Sequence, residues 1–284
     1  MLFKALRNGM KKNTGDDGTP YQIMRRAVFL NWAKSHREIL YSSDYYPKYF
    51  YYKYDIEDCP KYHKSLVKQG YLGKPSLADY LQSCKVSDLK NILNNLGLPK
   101  SGKKADMISR ILENANEHQL QKLEKNINGY SLTVKGHDYI HKYSEYIELH
   151  KCTFEISLNE YEAMKQKLGP DKPWQYSDII WGILNDRGIK YQRKKENGLL
   201  RNNFYYKYKH LKQACPEEAY LMLMIVRLID YEDDMKAPGI VSELLTEKQY
   251  FSEDMIPLCY RHFRGKSNPQ DFFNTLKNEL EIQP

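Results

Sequence analysis

The sequence lacks the features of membrane-spanning and secreted proteins. Its longest apolar run, residues 219–229, is interrupted by Arg227 and is far shorter than the roughly 20 residues that span a bilayer. Residues 1–10 contain Lys4 and Arg7 but have neither the continuous apolar stretch nor the small-residue cleavage site of a signal peptide. These absences predict a cytoplasmic protein with no membrane partner.

Motifs that carry metal or catalytic chemistry are also missing. The five cysteines are scattered and without a CxxC pair, which excludes a disulfide framework and a zinc knuckle. No GxxxxGKS/T loop, GxSxG elbow or GxGxxG turn occurs. His137, His141 and His150 lie close in sequence, but no HExxH pattern or third carboxylate ligand accompanies them. We therefore expect no metal, no cofactor and no enzymatic activity.

The composition is that of a folded protein with more basic than acidic residues. Hydrophobic residues make up 41% of the 284 and charged residues 28%, and this length favours two domains. The formal net charge of +8 favours an anionic partner. Nine basic residues and one acid, Glu196, lie at positions 187–212, so this basic segment carries an excess equal to that of the whole chain.

Hydrophobic periodicity predicts helices in the N-terminal part of the chain. Residues 22–40 have apolar positions at helical spacing, and a second helix is predicted from Pro60 to Gly70. Between them, residues 41–54 hold eight Tyr or Phe in fourteen positions, which favours extended or irregular structure. These rings either pack a core, the preferred interpretation, or form part of a winged-helix-like element.

The rest of the chain is also predicted to be mainly helical. A short helix is expected at 116–125, a brief strand at 130–134, and helices over most of 136–168. Pro170 and Pro173 indicate a break before the C-terminal region. Helices beyond it are predicted at 177–186, 200–213 and 216–231.

The resulting fold class is mainly α, in five segments. An N-terminal α domain with few short strands carries an inserted helix-loop-helix module, and an all-helical C-terminal domain follows. The bounds are 1–20 for a flexible N-terminal segment, 21–75 for a helical and aromatic region, 76–115 for the module, 116–169 for a linker strand and helices that complete the N-terminal domain, and 170–284 for the C-terminal domain.

The module follows from its apolar spacing. The first helix has a stripe at i, i+3, i+4 and i+7, formed by Leu89, Ile92, Leu93 and Leu96. Ser87 is placed to cap it, Gly97 to end it, and Pro99 to force an extended link. Ser101 is placed to cap the second helix. The stripe of that helix is Met107, Ile108, Ile111 and Leu112.

Two lysines stand where a helix dipole disfavours them. Lys103 and Lys104 fall in the first turn of the second module helix, although cations belong near a helix C-terminus. An anion such as phosphate, docked on the free N–H groups there, would remove the conflict. The alternative is that both lysines are only solvated, and the residues alone leave the two interpretations open.

The module closely resembles the SAP motif, a helix-extended-loop-helix DNA-binding unit. The resemblance rests on Val86, Leu89, the Leu96-Gly97-Leu98-Pro99 turn, the Ser101-Gly102-Lys103-Lys104 run and Arg110-Ile111-Leu112. It implies binding to the phosphates of duplex DNA, often AT-rich, near the minor groove. By position, the implied contacts are Lys100, Ser101, Gly102, Lys103 and Lys104, with Lys85, Lys90 and Arg110 as supporting charges. Residues 76–114 contain six basic and four acidic residues. This small positive excess predicts weak binding to DNA with little recognition of the nucleotide sequence.

Two weaker resemblances concern the rest of the chain. Residues 63–72 and 130–136 are similar to segments of SAP-containing proteins of Gram-positive bacteria and their phages. The C-terminal region resembles a tetratricopeptide-like helical pair, which implies docking of a protein partner or self-association through the C-terminal helices.

The basic segment has two interpretations. Its Tyr and Phe residues alternate with cations, as where phosphates are neutralised and bases are stacked, which predicts a second nucleic-acid surface. Alternatively, the rings pack a helical hairpin and the cations face water. The candidate contacts are Arg187, Lys190, Arg193, Lys194, Lys195, Arg201 and Lys207.

The favoured function is that of a DNA-binding regulatory or accessory factor in a bacterial or phage-infected cell. The alternative is an adaptor or inhibitor that binds a host nucleic-acid enzyme, with DNA contact secondary. A metal-dependent nuclease would need the acidic cluster of Asp230, Glu232, Asp233 and Asp234. The position of this cluster at a helix end instead indicates a solvated end or a contact for the basic segment.

Overall fold

The structure, a computed structural model, describes residues 18–36, 46–125, 127 and 129–280. It is mainly helical, as predicted, and forms two compact units, the first ending at Lys151 and the second beginning at Cys152. The helices of the first unit are α1 (Pro20–Ser35), α2 (Tyr49–Tyr54), α3 (Cys59–Lys68), α4 (Leu77–Ser83), α5 (Val86–Asn95), α6 (Lys104–Asn114), α7 (Glu117–Lys125), α8 (Val134–Lys142) and α9 (Ser144–Lys151). Its strands are β1 (Leu72–Gly73) and β2 (Ser131–Leu132). The helices of the second unit are α10 (Leu158–Leu168), α11 (Tyr176–Lys194), α12 (Asn197–Leu211), α13 (Pro216–Glu232), α14 (Pro238–Thr246), α15 (Met255–His262) and α16 (Pro269–Glu279).

Strands β1 and β2 bracket the module and pair with each other. The pairing is antiparallel, with Leu72 opposite Leu132 and Gly73 opposite Ser131. Helix α1, which precedes the module, packs against β2, α8 and α9, which follow it. The chain therefore leaves the surroundings of α1 after β1 and returns to them at β2, and of the strand predicted at 130–134 only Ser131–Leu132 is extended.

The re-entry point is held by close backbone contacts. The Thr133 N–H donates to the Tyr71 carbonyl at 3.1 Å, and the Thr133 side chain caps α8. A Cβ added to Gly136 would lie only 2.2 Å from the Tyr71 oxygen. Glycine is therefore required at position 136, because α8 crosses the backbone at the start of β1 with no room for a side chain.

The core of the N-terminal domain is aromatic. Phe29 of α1 is fully buried, and its ring contacts those of Trp32, Tyr46 and Phe50. The expectation of core packing at 41–54 is thus confirmed for Tyr46, Phe50 and Tyr54, whereas Tyr51 and Tyr52 are 58% and 70% exposed. The expectation of extended structure is wrong for Tyr49–Tyr54, because a single helical turn places Phe50 and Tyr54 on one buried side.

Some sequence-based expectations lie outside the described residues. These are most of the predicted flexible segment at 1–20, the end of the helix predicted at 22–40, and residues 41–45 of the aromatic stretch. Helix α1 accounts for the part of 22–40 that the structure describes, apart from its last residue, His36.

The second unit is built around α13, whose side chains are buried from Ala219 to Asp230 apart from the partly buried Leu221. The three helices predicted here are confirmed as α11, α12 and α13. No helix within the described ranges is both long and apolar enough to cross a membrane.

The boundary between the units differs from the predicted position at 170. Helix α10, assigned by its sequence to the first domain, packs against α11 in the second unit. Arg187 of α11 forms a two-point ion pair with Glu160 of α10, at 2.9 and 3.0 Å. Pro170 and Pro173 therefore belong to a connection between two packed helices, and the units divide after Lys151 instead.

Candidate nucleic-acid interface

The module has a hydrophobic cluster of its own. Leu89 and Leu93 of α5 and Ile111 of α6 are fully buried in it. Its buried members are Leu77, Leu81, Cys84, Leu89, Leu93, Met107, Ile108, Ile111 and Ile127. The predicted stripes of the two helices thus pack against each other, except that Leu112 is exposed.

A glycine turn ends α5. Gly97 has a φ of 71°, in the left-handed region, and the Leu98 N–H donates to the Leu93 carbonyl at 2.8 Å. Residues 98–103 then lead to α6 without helical structure, and Gly102 also has a positive φ, 119°. We call residues 97–103 the module loop.

The N-cap of α5 is Lys85 and not the predicted cap, Ser87. The Lys85 N–H donates to the Asp88 carboxylate at 3.1 Å. The prediction failed because the acceptor comes from inside the helix, three residues after the cap, and so replaces a serine side chain.

Helix α6 repeats this arrangement. Its N-cap is Lys103 and not the predicted Ser101, and the Lys103 N–H donates to the Asp106 carboxylate at 3.0 Å. Asp106 places a negative charge in the first turn, where the helix dipole favours it. The conflict between dipole and lysines is therefore partly relieved inside the protein.

Lys104 and Arg110 bond to backbone carbonyls of the module. The Lys104 ammonium donates to the Gln82 carbonyl, near the C-terminal end of α4, at 2.7 Å. The Arg110 guanidinium donates to the carbonyls of Pro99 and Ser101 at 2.5 and 2.8 Å. Both side chains, predicted as DNA contacts, thus hold α4 and the module loop in place.

Four other lysines of the module are exposed. They are Lys85, Lys90, Lys100 and Lys103. None of their side chains forms an ion pair with a residue that the structure describes. Lys100 and Lys103 stand on either side of the exposed residues Ser101 and Gly102, so the module loop and the start of α6 present two uncompensated positive charges to solvent.

Comparison with known proteins identifies this module. Residues 81–115 match the SAP domain family. This stretch is a SAP domain. An E3 SUMO-protein ligase of rice (Oryza sativa subsp. japonica) is 45% identical over 53 residues, which cover 16% of this chain and 6% of that protein. The similarity is thus confined to a small part of both chains, and no solved structure matches this one.

The SAP domain indicates nucleic acid as the class of partner. The resemblance to bacterial and phage proteins and the tetratricopeptide-like pair stay predictions, since the family match covers only residues 81–115 and the similarity to the rice protein covers only 16% of this chain.

Helix α4 is the part of the module that sequence reasoning missed. Two helices were predicted for 76–114, and the structure has a third, Leu77–Ser83, before them. The signal was present: the Ser76 side chain accepts a hydrogen bond from the Asp79 N–H, and Leu77 and Leu81 are four residues apart and buried. The helix is only seven residues long, which is why periodicity did not reveal it.

Much of the basic segment is neutralised within the second unit. Its cations pair with acids from other helices: Arg187 with Glu160, Arg201 with Asp230, Lys209 with Glu243, and Lys212 with Glu247. Burial acting alone would raise the pKa of Glu160, but the hydrogen bonds from Arg187 and Ser157 outweigh it and lower that pKa. The excess counted from the sequence thus overstates the charge available to a partner.

The remaining predicted contacts fall into two groups. Lys190, Arg193, Lys194 and Lys195 are exposed near the end of α11, and Lys194 is 3.9 Å from Glu196. Lys207 is half-buried on α12. The structure thus brings four of the seven candidates together on one exposed stretch, which we call the α11 basic end, and places Arg187, Arg201 and Lys207 in packed surroundings.

The acidic and histidine candidates are not assembled into a metal site. Asp230 is fully buried and accepts two hydrogen bonds from Arg201, at 2.5 and 2.9 Å, so the expected contact with the basic segment is confirmed for this residue. His150 bonds to the Tyr54 hydroxyl at 2.8 Å, and its burial, with the nearby Lys53 and Lys151, lowers its pKa to about 4. No group of three or more metal-ligating side chains occurs among the described residues.

Proposed function

We propose that the protein binds duplex DNA through its backbone phosphates, with the SAP domain as the contact. The observation that carries this proposal is the pair of exposed lysines, Lys100 and Lys103, on the module loop and at the cap of α6. The Lys103 N–H at the start of α6 is already bonded to the Asp106 carboxylate, so the attraction for an anion comes from the two ammonium groups. A phosphate at this position would be contacted by both lysine side chains.

The proposal divides the predicted contact residues by role. Lys100 and Lys103, with Ser101 and Gly102 between them, contact the phosphate, while Lys104 and Arg110 hold the surface in shape through their carbonyl hydrogen bonds. Lys85 and Lys90 add long-range attraction. A preference for AT-rich duplexes would come from the narrow minor groove of such DNA and its stronger negative potential.

Neutralising the two contact lysines tests this proposal. The double variant Lys100→Ala/Lys103→Ala is expected to bind DNA about tenfold more weakly at low salt, on AT-rich and GC-rich duplexes alike, because two phosphate contacts are lost. The slope of log K against log salt should fall by about two. Fluorescence anisotropy of the full chain with both duplexes at several salt concentrations measures both quantities.

A matched variant separates contact from net charge. Lys122 and Lys125 are exposed on α7, so Lys122→Ala/Lys125→Ala removes the same two charges from outside the proposed contact. It should leave the slope within about half a unit of wild type. An equal loss of DNA affinity in both double variants would show only a general electrostatic attraction to DNA. An unchanged salt slope in Lys100→Ala/Lys103→Ala would refute the proposal.

A second DNA contact is proposed at the α11 basic end. A single SAP domain with two phosphate contacts binds weakly, and a linked second site raises the overall affinity. The variant Lys190→Ala/Arg193→Ala should therefore weaken binding of the full chain several-fold and lower the salt slope by about two. Lys236→Ala/Lys248→Ala, which removes two exposed charges elsewhere in the second unit, is the control. A second contact is ruled out if the slopes of both variants equal that of wild type.

One observation favours a protein partner as the second candidate function. Ile189 of α11 and Leu199 of α12 are large apolar side chains that are 51% and 48% exposed. An adaptor or inhibitor that binds a nucleic-acid enzyme over these two residues would bury them. Capture of one stoichiometric partner by the wild type but not by Ile189→Ser/Leu199→Ser, unaffected by nuclease, would support this alternative.

Neither candidate function requires catalysis by this chain. Asp230, which a nuclease site in the second unit would need, is already bound on both carboxylate oxygens by Arg201. The proposed role is therefore one of binding, in which the reaction, where there is one, belongs to a partner.

A further inference from the structure

Lys207 differs from the other cations of α12. Arg201 and Lys209 of α12, and Lys212 directly after it, each pair with a carboxylate from elsewhere in the second unit. The Lys207 ammonium forms no ion pair and no hydrogen bond with any residue in the described part of the chain, although the side chain is half-buried. A buried ammonium without a counter-charge is unfavourable, so its surroundings matter.

The surroundings of Lys207 are aromatic. Its Nζ lies 5.2 Å from the centre of the Trp181 ring and 5.3 Å from that of Phe204. Burial lowers the pKa of Lys207 to about 8. The two rings stabilise the cation in part, but they do not replace the water it has lost.

The titratable groups nearby do not supply a carboxylate to this amine. Burial, and then the charge of Lys207, lower the pKa of His262. His210 stacks on Trp181 with ring centres 6.1 Å apart, and burial lowers its pKa as well, against the attraction of Asp178. Both imidazoles therefore tend to be neutral beside Lys207.

A buried hydrogen-bond acceptor lies one turn before Lys207. The Asn203 side chain is 2% exposed, and its Oδ1 has no donor among the described residues, while its Nδ2 donates to the Leu184 carbonyl. Both side chains approach Gly188: a Cβ there would be 3.1 Å from Asn203 Nδ2 and 3.7 Å from Lys207 Nζ. The absence of a side chain at position 188 thus leaves space beside the amine.

We propose that Lys207 is a site of N-acylation by activated acyl donors of the acyl phosphate class, selected by its aromatic, carboxylate-free surroundings. The neutral amine attacks the acyl carbonyl carbon, an amide C–N bond forms, the C–O bond to phosphate breaks, inorganic phosphate leaves, and the amine proton passes to solvent. The product is a neutral amide. Acylation removes the positive charge of Lys207, but because this ammonium forms no ion pair with a described residue, no ion pair of the second unit is broken.

The reaction can be measured on the unaltered full chain with acetyl phosphate as the probe. Acetylation of each lysine is quantified by mass spectrometry at a series of pH values, and Lys209, two residues away and paired with Glu243, serves as the internal control. At pH near 7.5 the initial rate at Lys207 should exceed that at Lys209 by about tenfold, because far more of its amine is neutral. The Lys207 rate should level off above about pH 9, while the Lys209 rate continues to rise.

The variant Trp181→Leu tests whether the reactivity of Lys207 comes from desolvation of its amine or only from access of the acyl donor to it. In Trp181→Leu the ring no longer covers Nζ, and the pH at which the Lys207 rate levels off should move towards that of Lys209. If the Lys207 and Lys209 rates follow the same pH curve in the wild type, or if Lys207 is left unmodified while exposed lysines react, the assignment is overturned. A Trp181→Leu protein that folds by circular dichroism but keeps the wild-type curve would also contradict it.

Discussion

Asp230→Ala is expected to destabilise the second unit by about 3–5 kcal/mol, because it leaves the Arg201 guanidinium in a packed site without its partner. Asp230 is fully buried, and both of its oxygens accept hydrogen bonds from Arg201. Asp230→Asn keeps the side-chain shape and one acceptor, so its loss should be smaller. Urea unfolding followed by tryptophan fluorescence and circular dichroism measures the change in the free energy of unfolding.

The same helix end offers the control for this prediction. Asp233 is exposed, and Asp233→Ala should change the free energy of unfolding by no more than about 0.5 kcal/mol. Equal stabilities for Asp230→Ala and Asp233→Ala would contradict the structural role of the Arg201–Asp230 pair. They would also return Asp230 to consideration as a free carboxylate.

Leu89→Ala should destabilise the SAP domain by about 2–5 kcal/mol, because Leu89 is fully buried and the small cluster around it cannot collapse to fill the cavity. The cluster draws its buried members from residues 77–127 and includes none of the aromatic core around Phe29. Hydrogen exchange read by mass spectrometry should therefore show loss of protection in α5 and α6 but not in α1.

Val86 provides the comparison on the same helix. It is 43% exposed, so Val86→Ala should cost less than about 1 kcal/mol and leave the exchange pattern unchanged. Loss of protection in α1 on Leu89→Ala would show that the module and the aromatic core unfold as one, contrary to this prediction.

Periodicity and turn chemistry predicted the SAP domain well because its helices carry clear apolar stripes. Leu89 and Leu93 on one helix, and Met107 and Ile111 on the other, stand at helical spacing and pack where that spacing indicates. Gly97 ends α5 because only a residue that tolerates positive φ closes this turn without strain. These are local effects, and a single sequence records them.

The features that escaped prediction depend on contacts between distant residues. Nothing near Arg187 or Arg201 in the sequence reveals that Glu160 and Asp230 neutralise them. Likewise, the hydrogen bond from Lys104 to Gln82 requires the fold that brings α6 to the end of α4. Charge counted along a chain therefore predicted a broad second surface, whereas the structure leaves the α11 basic end exposed and pairs most of the other cations with acids.

The antiparallel pairing of Leu72 with Leu132 has a consequence for the history of such a chain. For the N-terminal domain, the chain between β1 and β2 serves as one long hairpin connection. The ends of this connection stay side by side because the two strands pair, and this does not depend on how many residues lie between them. Each doubling of a loop costs only about 0.6 kcal/mol of closure entropy. A gene that gained or lost the whole SAP domain at this point would therefore alter one connection and leave the aromatic core around Phe29 as it was. The N-terminal domain could therefore acquire the SAP domain by a single insertion between β1 and β2, without compensating changes elsewhere in its sequence.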